Sequence, residues 1–167
     1  MGIINKRHND AKHETTARFS FFECIDNIDV AELLLGSVER WALEKGMTRI
    51  IGPFGMYYHD PIGFLTEGFN EIPSTTANYN LDYIPQLMEA AHYCAAENLV
   101  VYKLPVTEKL SGIYYQVREK ILNRKLLRIV TFRSKKDFRA YIKPVLEVMN
   151  ESFTGIYGYS QLDEREM

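Results

Sequence analysis

Apolar positions along the chain change period repeatedly, and each change marks an element. Gly2-Ile3-Ile4 is a short apolar start, followed by a polar stretch from Asn5 to Thr16 and then by Ala17-Arg18-Phe19-Ser20-Phe21-Phe22-Glu23-Cys24-Ile25. In the period-two geometry of a strand, Phe19, Phe21 and Glu23 share one face while Phe22 and Cys24 share the other. The two runs therefore predict a hairpin closed by a long polar loop. Asp29 begins a helix, with Glu32 three residues on as in a capping box, and Val30, Leu33, Leu34, Val38, Trp41 and Ala42 fall on one apolar stripe. Gly46 suits the left-handed residue that ends a helix. Met47 to Ile51 reads as a short buried strand.

A second helix starts near Asp82, where Pro85 is tolerated in the first turn, and carries Leu87, Met88 and Ala91 inward. Leu99 to Leu104 follows as a predicted strand. Pro105 and Thr107 open a third helix, with Leu110, Ile113, Tyr114, Val117 and Ile121 at helical spacing. Its carboxyl end holds Lys120, Arg124 and Lys125, where cations are favoured. Leu126 to Phe132 alternates as a strand. Ser134 and Asp137 mark a further helix start, with Phe138, Tyr141, Ile142, Val145 and Met149 facing inward and Pro144 kinking it. From Tyr157 to Met167 there is little apolar weight. Strands alternating with helices, without internal repeats, make the fold class α/β.

One connection breaks this rhythm. Between Gly52 and Tyr83 the chain reads GPFGMYYHDPIGFLTEGFNEIPSTTANYNLDY, where a strand-to-helix loop ordinarily needs about 2 to 6 residues. Phe54, Tyr57, Tyr58, Phe64, Phe69, Tyr79 and Tyr83 argue against a solvated tether. The loop reads as an ordered lid or pocket wall. Its aromatics suit a cover over a flat ligand and also a core packed beneath the helices.

Composition narrows the classes. A chain of 167 residues with 46% hydrophobic residues can bury a real core, and a formal charge of -2 shows no electrostatic bias toward nucleic acid or anionic lipid, so neither nucleic acid nor a membrane is expected as a partner. No apolar run approaches the roughly 18 residues of a membrane span, and no signal-peptide pattern opens the chain, so the expected compartment is the cytoplasm. Cys24 and Cys94 lack metal-ligand spacing and are expected as buried free thiols. His8 and His13 are five apart in the polar stretch, with no third ligand at a zinc spacing, so no metal is expected. Walker-type loops, G-x-G-x-x-G and G-x-S-x-G are absent from the sequence.

The runs IINKRHN, FSFFECIDNIDVAELLLGSVERWALEKGMTRIIGP, GFLTEGFNEIP, NYNLDYIPQLMEAA and LVVYKLP, in that order, resemble a largely uncharacterised bacterial branch of the GNAT N-acetyltransferase superfamily. The resemblance covers roughly residues 2 to 105. It implies a partial GNAT-like acyl-CoA N-acyltransferase fold, a mixed sheet flanked by helices, with a core over 1–105, a connecting helix over 106–125 and the start of a second strand-helix unit over 126–167. It also implies that opening strands are missing. Acetyl-CoA as substrate and a small-molecule amine as acceptor follow from the same likeness.

Three elements of that mechanism map onto residues here. The coenzyme turn falls on Ile25 to Ala31, making Ile25, Asn27, Val30 and Ala31 the candidate cofactor-binding residues at a helix amino terminus. No glycine is present there, and Asp26 and Asp29 would repel a pyrophosphate. The tyrosine that protonates the departing thiolate would align with Met88, which cannot donate a proton, and the glycine that follows it in the family would align with His92. For the base that takes the amine proton, the long loop offers Glu67, His59 and Asp60, with Tyr79 and Tyr83 as hydroxyl donors. Glu67, Tyr79 and Tyr83 are the candidate catalytic residues, although His59 and Asp60 before Pro61 also suit a turn.

Two classes of function stand open: an N-acetyltransferase acting by direct attack of amine on thioester, or a non-catalytic binding module on a degenerate GNAT fold. A strand near the amino terminus with an open edge predicts self-association into a homo-oligomer. Light scattering across a wide concentration range should show a mass above that of one chain, and a constant monomer mass would contradict it.

Overall fold

The computed structural model describes residues 1–105, 111–124 and 128–162. The chain enters on β1 (Gly2–Ile3), passes through α1 (Lys6–Lys12) and returns as β2 (Thr16–Phe19). β2 runs antiparallel to β1, with Gly2 opposite Phe19 and Ile3 opposite Arg18. The expected antiparallel pairing is present, but the polar connection is a helix rather than a loop. Asn5 caps it by accepting a 3.0 Å bond from the His8 amide, and His13 closes it with a left-handed φ of 54°. Polar residues hid this helix because its short span carries no apolar stripe to betray its period.

β2 also stops earlier than the alternation predicts. Phe21 takes a left-handed φ of 52° and points into solvent, 84% exposed. The bend brings Phe22 to the core beside Phe19, their ring centroids 6.2 Å apart and edge to face, so these two no longer oppose each other across a strand.

α2 (Ile28–Glu44) then crosses to β3 (Arg49–Ile51), which lies parallel to β2 with Ala17 opposite Ile50. A helix of 17 residues is the usual way to join parallel neighbours. The helix starts at Asn27, whose Oδ1 accepts from the amides of Asp29 and Val30, so Asn27 is the cap and not Asp29. Its buried stripe is Ala31, Leu35 and Ala42 with Val38 beside them, whereas Leu33 and Leu34 face water. A run of three leucines permits two stripes, and the small Ala31 and Ala42 select the one that can approach the sheet. Gly46 ends the helix region at φ 76°, as the sequence predicts.

After the long connection comes α3 (Tyr83–Ala90), which buries Ile84, Leu87 and Met88. Phe19, Leu35 and Met88 form the core, joined by Phe22, Val38, Ile50, Phe64, Ala91 and Tyr93. His92 follows the helix at φ 65°; its amide bonds Glu89 O at 3.0 Å and the Tyr93 amide bonds Met88 O at 2.9 Å. These two bonds make a Schellman closure. A histidine thus adopts, in the slot aligned with a glycine, the backbone form that glycine favours.

Beyond this point packing thins. Leu99 to Leu104 forms no strand among the described residues, and Val101 is 74% exposed. Apolar alternation makes a strand only where an edge accepts its backbone bonds, and neither outer strand of the sheet pairs with this segment. α4 (Gly112–Asn123) buries no residue. The expected helix start at Thr107 and Leu110, and Lys125 and Leu126, lie outside the described residues. From Arg128 to Phe132 no strand forms, and Phe132 packs on Phe138 and Tyr141 instead. α5 (Lys135–Ser152) is capped by Ser134 as expected and contains Pro144, but Phe138 and Val145 of its predicted inward face are exposed. The whole is a mixed α/β fold, with a three-stranded mixed sheet and five helices among the described residues. Cys24 is half-buried and Cys94 exposed, both free, so the second departs from its expected burial.

The other face of β2 is held by a charge. Alternation puts Arg18 opposite to Phe19, where it is 1% exposed and its Nη1 donates to Gly55 O at 3.0 Å and Met56 O at 3.2 Å. Its guanidinium lies 3.9 Å from the centre of the Phe54 ring, a geometry that favours a cation over the ring face. Exchanging Arg18 for Met removes these donors, and urea unfolding should show about 2 kcal/mol lost. An unchanged midpoint would show that Arg18 does not anchor the loop.

Candidate functional site

The 52–82 connection contains no helix or strand, yet side-chain amides bond its backbone at several points. Asn80 Oδ1 accepts from Leu65 N at 2.7 Å while its Nδ2 donates to Leu65 O at 3.1 Å, imitating a rung of a sheet. Asn78 Nδ2 donates to Gly63 O at 2.8 Å. The two limbs of the loop are therefore stitched together without strand pairing. At its head, Asn5 Nδ2 donates to Met56 O at 2.8 Å, and Asp60 Oδ2 accepts from Tyr57 N at 2.9 Å.

The aromatics divide between packing and exposure. Phe54 is buried and Phe64 packs against Phe19 and Phe22, which makes them core. Tyr58 meets Phe153 and Tyr159 from the carboxyl-terminal segment, and Tyr157 stacks on Phe54. Gly158 permits that approach: at φ 74°, a Cβ there would collide with the Phe54 ring. Tyr159 is fully buried, although its segment shows little apolar weight in sequence.

Where loop and carboxyl-terminal segment meet, a cavity of about 210 Å³ opens, lined by Tyr57, Tyr58, His59, Met149, Ser160 and Leu162. Tyr57 and His59 stack in parallel at 5.4 Å. His8 Nδ1 bonds Ser160 Oγ at 3.0 Å behind the lining. Drug-sized ligands occupy pockets of about 300 Å³ or more, so this space suits one small group rather than a coenzyme.

The sequence-predicted residues are spread over several supports. Glu67 is exposed beside Gly68, whose φ is 79°. Tyr79 OH donates to Phe69 O at 3.3 Å, and Tyr83 OH donates to Cys24 O at 2.9 Å. Desolvation is the leading cause that raises the Tyr83 pKa, followed by Cys24, Asp26, Glu23 and Asp82. Cys24 is raised in the same sense by burial and then by Asp26, so its thiol holds its proton.

At the helix start, Ile25 and Asn27 are exposed, Val30 is half-buried and Ala31 fully buried. Asn27 already occupies the amides of Asp29 and Val30, and its carbonyl accepts from Ala31 N at 3.1 Å. An anion there would have to displace the Asn27 side chain. Met88, in the proton-donor slot of the resemblance, is a core residue. His59 lines the cavity and Asp60 sits at the loop head, whereas Arg18 and Ser160 escaped sequence reasoning and His8 stands out there only as half of a pair without a metal spacing. A charge in the middle of an apolar strand was the available signal for Arg18.

Among the described residues no group of three or more His, Cys, Asp and Glu could hold a metal, and no helix is long and apolar enough to cross a membrane. No protein-family model and no solved structure matches the chain. Over 168 aligned positions it is 23% identical to Protein YghO of Escherichia coli strain K12, covering 98% of this chain and 41% of that protein. Over 151 positions it is 24% identical to the bacterial ceramide synthase of Caulobacter vibrioides strain NA1000 / CB15N, covering 89% of this chain and 38% of that protein. The chain thus spans about two fifths of the length of these curated relatives.

Beside the cavity, burial first and Arg18 second lower the His8 pKa below its usual 6.5, with Lys12 acting the same way and Glu14 opposing. The unfolded chain therefore takes up this proton before the folded one, and stability falls as pH drops below about 6.5. Urea midpoints should decline between about pH 7 and pH 5.5 more steeply for the parent than for His8→Gln. Equal slopes would remove His8 as the cause.

Proposed function

We propose that the chain forms part of an N-acyltransferase that moves an acyl group from an acyl thioester to an amine. One observation carries this reading: the likeness, along 89% of the chain, to a protein named for synthesising ceramide. A ceramide is an amide between an acyl group and a long-chain amino alcohol. The GNAT-like order of motifs supports the same class of reaction and implies acetyl-CoA as donor. The ceramide likeness favours a longer acyl-CoA and an amine with a long apolar tail.

In this reaction the amine nitrogen attacks the thioester carbonyl carbon. A C–N bond forms, the C–S bond breaks, the amine gives up a proton and the sulfur leaves as a thiol. Glu67, exposed on the loop, is the acceptor of the amine proton. Tyr79 and Tyr83 are hydroxyl donors; desolvation first, then Cys24 and the acidic neighbours, raise the Tyr83 pKa and keep its phenol protonated. A protonated Cys24 favours direct transfer over an acyl-cysteine intermediate. Proximity supplies much of such catalysis. A second reading, a non-catalytic binding module, is favoured by the Asn27-occupied helix start and by Met88 in the core.

Thermal shift with acetyl-CoA and with a long-chain acyl-CoA, paired with an amide-forming assay on a long-chain amino alcohol, separates these readings. Stabilisation and product are expected, with Glu67→Gln lowering kcat about a hundredfold at unchanged affinity. If the coenzyme sits at the α2 start, Asp26→Asn with Asp29→Asn should tighten binding. Absence of stabilisation at about millimolar coenzyme, with no product, would support the binding module.

A further inference from the structure

The chain-wide charge of -2 averages two unlike parts. Residues 112 to 143 hold half of the 20 Lys and Arg residues but two of the 22 Asp and Glu, ten cations against two anions and a net charge of +8. Apolar side chains on the same stretch are left in solvent. On α4, Ile113, Tyr114, Val117 and Ile121 are 61%, 62%, 49% and 40% exposed. At 100° per residue these four fall on one stripe, with Lys120 bordering it on one side, Arg118 on the other and Arg124 at its carboxyl end. Ile129, Phe132 and Phe138 continue the pattern of exposed apolar residues among Arg128, Arg133, Lys135, Lys136 and Arg139.

A packed domain covers such a stripe, but no residue of α4 is buried. We infer that the 112–143 stretch docks on an anionic lipid surface, laying its apolar stripe among the acyl chains with its cations at the phosphate level. Charge complementarity selects this occupant. A negatively charged bilayer attracts each Lys or Arg near it by about 1 kcal/mol, a factor of about five in partitioning. Nucleic acid would use the cations but leave Ile113, Val117 and Ile121 in water, whereas a helix with an apolar face and a basic face settles at the membrane interface. The proposed contact is with the membrane surface; none of the described helices is long and apolar enough to cross a bilayer. The inference stands apart from the acyl-transfer reading, because binding is measured without turnover.

Co-sedimentation of the whole chain with vesicles of phosphatidylglycerol and phosphatidylcholine, against phosphatidylcholine alone, tests it at low and high salt. Binding is expected to the anionic vesicles, weakened by salt. Neutralising Arg118, Lys120 and Arg124 together by Gln should cost about a hundredfold in partitioning. Ile113→Ser with Val117→Ser should also weaken it, with circular dichroism unchanged because these side chains are exposed. Absence of anionic binding, equal binding to neutral vesicles, or binding to nucleic acid in place of vesicles overturns the inference. So does a stable dimer that leaves vesicles untouched. Lipid composition and salt are compared on the unaltered chain, so they decide the matter even if a variant misfolds.

Discussion

A buried guanidinium ties the head of the long loop to the sheet. Arg18 projects from the central strand onto the face opposite the α2–α3 core, where it is bound by the carbonyls of Gly55 and Met56 and lies over Phe54. Desolvation is the largest influence on its pKa and pushes it down, opposed by Tyr157, Glu14 and Asp60. Its Nη2 is buried without a hydrogen-bond partner. A charge taken out of water at such cost is tolerated where fixed oxygens and an aromatic face surround it. The head of the long loop thereby becomes part of the sheet layer, and Phe54 becomes a platform for Tyr157. Together with Asn5, which also donates to Met56 O, this anchor fixes the loop head from which Tyr57, Tyr58 and His59 line the cavity.

The rest of the loop owes its order to amide side chains. The side chains of Asn78 and Asn80 bond the backbone of Gly63 and Leu65 across 15 residues. Glu67 and Tyr79 lie in the same loop, outside the sheet. Asn27 does the reverse at the start of α2, satisfying the amides that an anionic ligand would use. The acceptor side of the proposed reaction is therefore better furnished by the described residues than the donor side.

Packing is uneven along the chain. The named core residues come from the sheet, α2, α3 and the loop, and Tyr159 returns from the carboxyl-terminal segment to pack on Tyr58 and Phe153. In the intervening basic stretch Ile113, Val117, Ile121, Ile129 and Phe138 remain exposed. Both parts fall within the 98% of the chain that aligns with its Escherichia coli relative. An enzyme joining an acyl group to a long-chain amine would meet its substrates at a lipid surface, so the two proposals fit one molecule while resting on separate observations.

Local signals in the sequence determined the features that depend on near neighbours. The cap at Ser134, the left-handed Gly46, the first-turn Pro85 and the length of the 52–82 loop were all legible, because each is decided within a few residues. Tertiary structure decided the rest. Which leucine of Leu33-Leu34-Leu35 turns inward depended on the sheet that Ala31 and Ala42 can approach. Leu99 to Leu104 stayed unpaired because a strand is a property of two edges, and alternation describes one. Whether Arg18 is a surface charge or an internal anchor depended on carbonyls 37 and 38 residues away. Periodicity reveals which side of an element prefers water; only the folded chain shows what meets the other side.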